Sequence, residues 1–200
     1  RVFTKLKARL HALSVGSGYQ DTRSRRTCNE SNGHRLADDP TCLTLDRQYM
    51  FGDNILVAPI LNDEGIAEYY VPEGKWTDII TGKVLEGGKW YKHKCSYFEI
   101  PALAKPNSII AYGNFERQIE YDYLEGTTFT IYELEDGKSA VCPIYDTEAN
   151  KVFELTATRH GNKIECEYTD TKASFKIAVA NTDKTVEIAP NFSGKVIIEL

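Results

Sequence analysis

The chain is 200 residues long, 42% hydrophobic and 26% charged, a globular balance that excludes a mainly disordered protein. Its 24 basic and 29 acidic residues leave a net charge of −5, which argues against a nucleic-acid partner. No run of about 20 apolar residues occurs, so no membrane-spanning helix is expected.

In chain order, residues 1–10 read as a short helix, with Val2, Phe3, Leu6 and Leu10 at helical spacing and Lys5, Lys7 and Arg9 elsewhere around it. The chain opens without Met and without a long apolar leader, so it reads as a piece of a longer protein with no signal peptide. Residues 11–36 carry no apolar period and are rich in Ser, Gly and Arg, as in an irregular basic segment. From Leu45 the pattern turns to β. Asn54–Leu61 is a nearly continuous apolar run, as for a strand buried on both faces. Candidate strands follow at Glu68–Val71, Trp76–Ile79, Lys89–Lys92, Tyr97–Ile100 and Ser108–Tyr112, separated by Glu73-Gly74, Thr81-Gly82 and Gly87-Gly88.

A second series comprises Thr128–Leu134, Ser139–Ile144, Val152–Arg159, Lys163–Tyr168, Ser174–Ala180, Lys184–Ile188 and Lys195–Leu200. In Ser174–Ala180, Phe175, Ile177 and Val179 alternate with Ser174, Lys176 and Ala178, and Asp136-Gly137 and Gly161-Asn162 are hairpin signals. Strands at this even spacing predict a mainly β chain: two small antiparallel β-sandwiches after a short helix and an irregular N-terminal segment. The expected divisions are 1–44, 45–113 and 114–200, with the sandwich boundary near Gly113-Asn114.

Few residues suggest chemistry. His11, His34, His93 and His160 are never paired at metal-ligand spacing, and a structural or solvent-facing role suits all four. Cys28, Cys42, Cys95, Cys142 and Cys166 form no C-x-x-C pair; reduced thiols in a cytoplasmic compartment are the expectation. Asp38-Asp39 precedes Pro40, as in a turn or cap, and Glu133, Glu135 and Asp136 run from a strand end into a turn. No catalytic, cofactor-binding or metal-binding residue is assigned. The aromatics Tyr69, Tyr70, Trp76, Trp90 and Tyr91 suit core packing; Trp76, Trp90 and Tyr91 are also candidates for stacking on the apolar face of a sugar.

The segment Leu45-Asp46-Arg47-Gln48-Tyr49-Met50-Phe51-Gly52-Asp53-Asn54-Ile55-Leu56-Val57-Ala58-Pro59-Ile60 is distinctive, as is Glu68-Tyr69-Tyr70-Val71-Pro72-Glu73-Gly74-Lys75-Trp76-Thr77-Asp78. Together with Gly82, Gly87-Gly88 and Pro106-Asn107-Ser108, they resemble glycoside hydrolase family 31 just beyond its catalytic barrel. Glu125-Gly126-Thr127-Thr128-Phe129 with Asp136-Gly137 resembles the bacterial α-xylosidase branch. The resemblance covers residues 1–10 and roughly 37–180. It implies the end of a barrel followed by a proximal and a distal β-sandwich.

Members of that family are retaining α-glycosidases with two catalytic Asp residues, which the chemistry places about 5 Å apart across the scissile bond. No Asp of this chain matches either. The resemblance therefore implies a C-terminal fragment of an α-xylosidase or α-glucosidase, inactive alone, whose parent takes an α-glycoside on the absent barrel and forms a homo-oligomer. A carbohydrate-binding module and a structural or assembly module are the alternatives.

The resemblance also calls for a helix ending Met-Pro-Tyr-Leu and a strand reading Pro-Val-Met-Arg-Ala-Met within residues 11–36, and neither is there. His11-Ala12-Leu13-Ser14-Val15 can be encoded CAT GCC TTA TCT GTT, which one base on reads Met-Pro-Tyr-Leu. Arg26–Gly33, encoded CGC ACC TGT AAT GAG AGC AAT GGT, likewise reads Ala-Pro-Val-Met-Arg-Ala-Met. Residues 11–36 are therefore expected to be out of frame or disordered, with a genuine basic linker as the alternative.

Overall fold

A computed structural model of the chain describes residues 9–10, 29–31, 45, 47–96, 99–114, 124–146, 148, 150–169, 171–190 and 194–200. The expected helix over 1–10 lies outside them except at its end, where Arg9 is helical and Leu10 is buried. Two compact units are present: Gln20–Pro106, and Arg1–Tyr19 together with Asn107–Leu200. No helix among the described residues is long and apolar enough to cross a membrane.

The first unit contains β1 (Asn29–Ser31), β2 (Tyr49–Phe51), β3 (Ile55–Val57), β4 (Ile66–Val71), β5 (Lys75–Asp78), β6 (Val84–Glu86), β7 (Lys89–Lys94) and β8 (Ala102–Ala104). Six strands form one sheet in the order β1-β2-β3-β8-β5-β6, and β4 and β7 form a two-stranded ladder. Both contribute to one core: Met50, Leu56, Trp76, Leu85 and Leu103 from the large sheet meet Ala67, Tyr69 and Val71 from β4. The turns are backbone-driven. Gly87 N–H donates to Gly74 O at 2.7 Å and Gly88 N–H to Val71 O at 2.8 Å. A Cβ on Gly87 would lie 1.7 Å from Pro72 O, so only glycine fits that approach.

The second unit contains β9 (Ser108–Tyr112), β10 (Thr127–Tyr132), β11 (Ser139–Tyr145), β12 (Lys151–His160), β13 (Lys163–Tyr168), β14 (Phe175–Val179), β15 (Thr185–Ile188) and β16 (Gly194–Glu199). Its two four-stranded sheets run β15-β14-β10-β9 and β11-β12-β13-β16. Between them Phe129, Phe153 and Phe175 pack with centroids 5.1–5.6 Å apart, and the Tyr168 ring meets Phe175 edge-on at 5.2 Å. The alternation in β14 follows the sequence reading: Phe175 and Ile177 are fully buried, while Lys176 reaches Glu187 across the ladder at 3.7 Å.

The mainly β architecture agrees with the sequence, and four details differ. The division falls at Pro106/Asn107 rather than near Gly113-Asn114, because β9 pairs with β10 and so belongs to the second unit. The pairing of β10 with β14 is parallel, since the chain crosses the other sheet between them. Of residues 1–44, the described ones pair with later segments: β1 pairs with β2, and Arg9 O accepts Gly113 N–H at 2.8 Å. Within the segment expected to be irregular, Asn29–Ser31 is thus a strand, since ladder pairing needs only backbone groups. The rest of 11–36 lies outside the described residues, as do His11, His34, Cys28, Cys42, Asp38 and Asp39. Finally, Glu99 and Ile100 are not in a strand, and Ala102–Ala104 forms β8 instead.

Candidate functional site: an aromatic-lined cleft in the first unit

The period of two along a strand separates residues that the sequence places side by side. In the β4–β7 ladder, Tyr69 faces Tyr91 and Ala67 faces His93 on the core side, while Tyr70 faces Trp90 and Glu68 faces Lys92 on the other. Trp90 and Tyr91 therefore point to opposite faces. Tyr69 and Tyr91 stack at 6.0 Å, His93 meets Tyr69 edge-on at 5.9 Å, and Trp90 lies 5.8 Å from Tyr70. Trp90 is 54% exposed, whereas Trp76 is 1% exposed. Trp76 is thus removed from the stacking candidates: its ring fills the core, and Nε1 donates to Glu73 O at 3.4 Å. The three aromatics form no common platform.

Because β4 and β7 form only a two-stranded layer, the core side of β7 opens onto a cleft of about 390 Å³. Tyr69, Tyr91 and His93 line one part of it, Asp78, Thr81, Lys83 and Leu85 another, and Glu99 to Pro101 a third. Tyr69 is buried, Tyr91 half-buried and His93 exposed. Tyr91 is fixed by its hydroxyl, which donates to Glu86 O at 2.8 Å, and the Lys89 ammonium lies 5.5 Å from its ring centre.

The carboxylates of the cleft are built into turns. Asp78 Oδ1 accepts Ile80 N–H at 2.8 Å and Thr81 N–H at 3.0 Å. Glu99 Oε2 accepts Ser96 N–H at 2.7 Å, and that bond holds its carboxyl below the ordinary value. Burial pushes the Tyr69 hydroxyl and the Cys95 thiol up. Cys95 therefore stays a thiol at neutral pH, and its Sγ lies 3.2 Å from His93 Nε2, a hydrogen bond whose donor is set by the imidazole tautomer.

This arrangement can hold a ligand. Among the described residues no group of three or more His, Cys, Asp and Glu could hold a metal ion. The acidic run after β10 serves turns: Asn107 Oδ1 accepts Glu135 N–H at 2.8 Å, and Asp136 Oδ1 accepts Gly161 N–H at 2.6 Å. His160 is exposed at the end of β12. The role of Gln48 was not visible in the sequence. Buried at 4% exposure, it donates from Nε2 to Tyr70 O at 2.9 Å and accepts Tyr70 N–H on Oε1 at 2.8 Å, tying the approach to β2 to the edge of β4. A polar residue inside the distinctive Leu45–Ile60 segment was its sole signal.

Comparison with known proteins matches residues 30–110 to the glycosyl hydrolase family 31 C-terminal domain and residues 122–200 to the C-terminal domain of alpha-xylosidase YicI. The chain is 30% identical over 157 residues to alpha-xylosidase XylQ of Lactiplantibacillus pentosus, covering 77% of this chain and 20% of that protein. It is 39% identical over 160 residues to an alpha-xylosidase of Emericella nidulans, covering 67% of this chain and 20% of that one. The chain thus spans about a fifth of the length of these relatives. In fold it resembles a GH31 dextranase of Flavobacterium johnsoniae, with a TM-score of 0.83 at 16% identity over 98% of this chain and 32% of that one. A GH31 alpha-xylosidase of Xanthomonas citri gives a TM-score of 0.78 at 15% identity over 99% of this chain and 24% of that one. Two matched domains in succession, over strands that close two separate cores, make this chain a member of glycoside hydrolase family 31, carrying its C-terminal domains.

Proposed function

We propose that the chain is the C-terminal portion of a retaining α-glycosidase of the α-xylosidase type, and that its two sandwiches support a catalytic barrel without taking part in the chemistry. The observation that carries this reading is the succession of the two domain matches, the second to an alpha-xylosidase C-terminal domain. The described geometry fits a supporting role, because the carboxylates of Asp78, Glu99 and Asp136 accept backbone N–H groups. In the whole enzyme, hydrolysis with retention would use two barrel carboxylates, one forming a glycosyl ester and the other acting as acid and then base.

The nucleotide sequence from upstream of Arg1 through residue 37 tests the reading. An in-frame barrel with two such carboxylates supports it, and a reading frame with no barrel contradicts it. The same bases decide residues 11–36, which we read as out of frame: the shifted frame should spell Met-Pro-Tyr-Leu and Pro-Val-Met-Arg-Ala-Met. The complete product should hydrolyse an aryl α-xyloside faster than the matching α-glucoside; the reverse order would move it to the α-glucosidase type. We further place it in the cytoplasm, in keeping with the free thiols of Cys95, Cys142 and Cys166, and expect a homo-oligomer, to be read by light scattering of the complete product.

A further inference from the structure

We infer that the cleft beside β7 is a non-catalytic subsite for a neutral sugar ring. The inference rests on the family reading above for its choice of ligand, and on the cleft for everything else. A volume of about 390 Å³ lies at the small end of the range for small-ligand sites. One part offers aromatic surface, the half-buried Tyr91 ring held by its hydroxyl and backed by Tyr69. An apolar sugar face packs on such a ring, and preorganisation lowers the cost of binding.

The rim offers both donors and acceptors. His93 Nε2 is taken up by its 3.2 Å contact with Cys95 Sγ, which leaves Nδ1 as the ring nitrogen for a ligand, donor or acceptor according to the tautomer. The second carboxylate oxygens of Asp78 and Glu99 are acceptors placed by turns that use the first. The Thr81 hydroxyl and the Lys83 ammonium line the same space. Charges of both signs line the cleft: Asp78 and Glu99, and Lys83, Lys92 and Lys94, with Lys92 lying 3.7 Å from Glu68. A polyhydroxylated neutral ring satisfies this mixture of donors and acceptors.

The test is titration of the ¹⁵N-labelled 200-residue chain with methyl α-D-xyloside, followed by amide chemical shifts, with glucuronate as the anionic control. The expected result is saturable shifts at Thr81, Lys83, His93, Lys94 and Glu99 with the neutral sugar. His93→Ala should weaken binding by about tenfold while keeping a dispersed spectrum. Trp90→Ala, on the opposite face, should leave affinity unchanged, and Tyr91→Phe, which frees the ring from Glu86 O, should weaken binding. Absence of shifts, stronger shifts with glucuronate, or shifts centred on Trp90 and abolished by Trp90→Ala would each overturn the inference. None of these outcomes bears on the support role, which turnover and the upstream sequence decide.

Discussion

Gln48 carries more of the first unit than its neutral, uncharged side chain suggests. Its amide pairs with both the N–H and the C=O of Tyr70, and its removal strands two backbone groups. Gln48→Leu should cost at least about 2 kcal/mol, read as a lower urea midpoint with an unchanged slope. Gly87→Ala should prevent the first unit from folding, because the new Cβ would lie 1.7 Å from Pro72 O; one-dimensional proton spectra would show the loss of dispersion.

The ionisable side chains of the second unit set its pH window. Burial pushes the Cys142 and Cys166 thiols up to about 12, from an ordinary 9.0. A raised folded value favours the folded state while the thiol is protonated. That contribution is complete below pH 9 and is lost as pH climbs towards 12. Glu125 runs the other way. Bonds from the Ser174 hydroxyl at 2.6 Å and Ser174 N–H at 2.9 Å hold its carboxyl below the ordinary 4.5. Its contribution is present above pH 4.5 and is lost as pH falls below it. Thermal melts of the chain should therefore show a plateau bounded by declines on both sides, and Glu125→Ala should flatten the acid side.

At the scale of elements, the second unit was the more legible half of the sequence. Ser108–Tyr112 and Lys163–Tyr168 coincide with β9 and β13, and Phe175–Val179 falls inside the expected Ser174–Ala180. These strands bury one face, so alternation announces them. Those that escaped notice are three-residue strands: β1, β2, β6 and β8. Ala102–Ala104 is buried throughout and has no alternation to read. Which aromatics share a face was equally hidden, because register and not spacing in the chain puts Tyr91 with Tyr69 and Trp90 with Tyr70. The sequence left Trp76 between core packing and stacking for the same reason: its burial depends on a sheet assembled from distant segments. The ring cluster of β10, β12 and β14 is the element-scale test of the second core. Phe175 meets Phe129, Phe153 and Tyr168, and Phe175→Ala should cost about 3–5 kcal/mol, measured by denaturant unfolding.

Over the whole molecule, two sandwiches with separate cores account for the described residues, and each matches a family 31 domain. The family was legible in the sequence because its marks are turns and links with strict geometry: Gly87, Gln48 and Asn107, the last at a backbone φ of 56°. The cleft was not legible, since it exists because a two-stranded ladder lies over a wider sheet.

The central claim, that these domains support catalysis without performing it, is tested most directly by the activity of the purified 200-residue chain on aryl α-xylosides. The account predicts no turnover above the uncatalysed rate across the pH range in which the chain is folded. Hydrolysis that copurifies with the chain and falls away in a variant of one of its own carboxylates would contradict it.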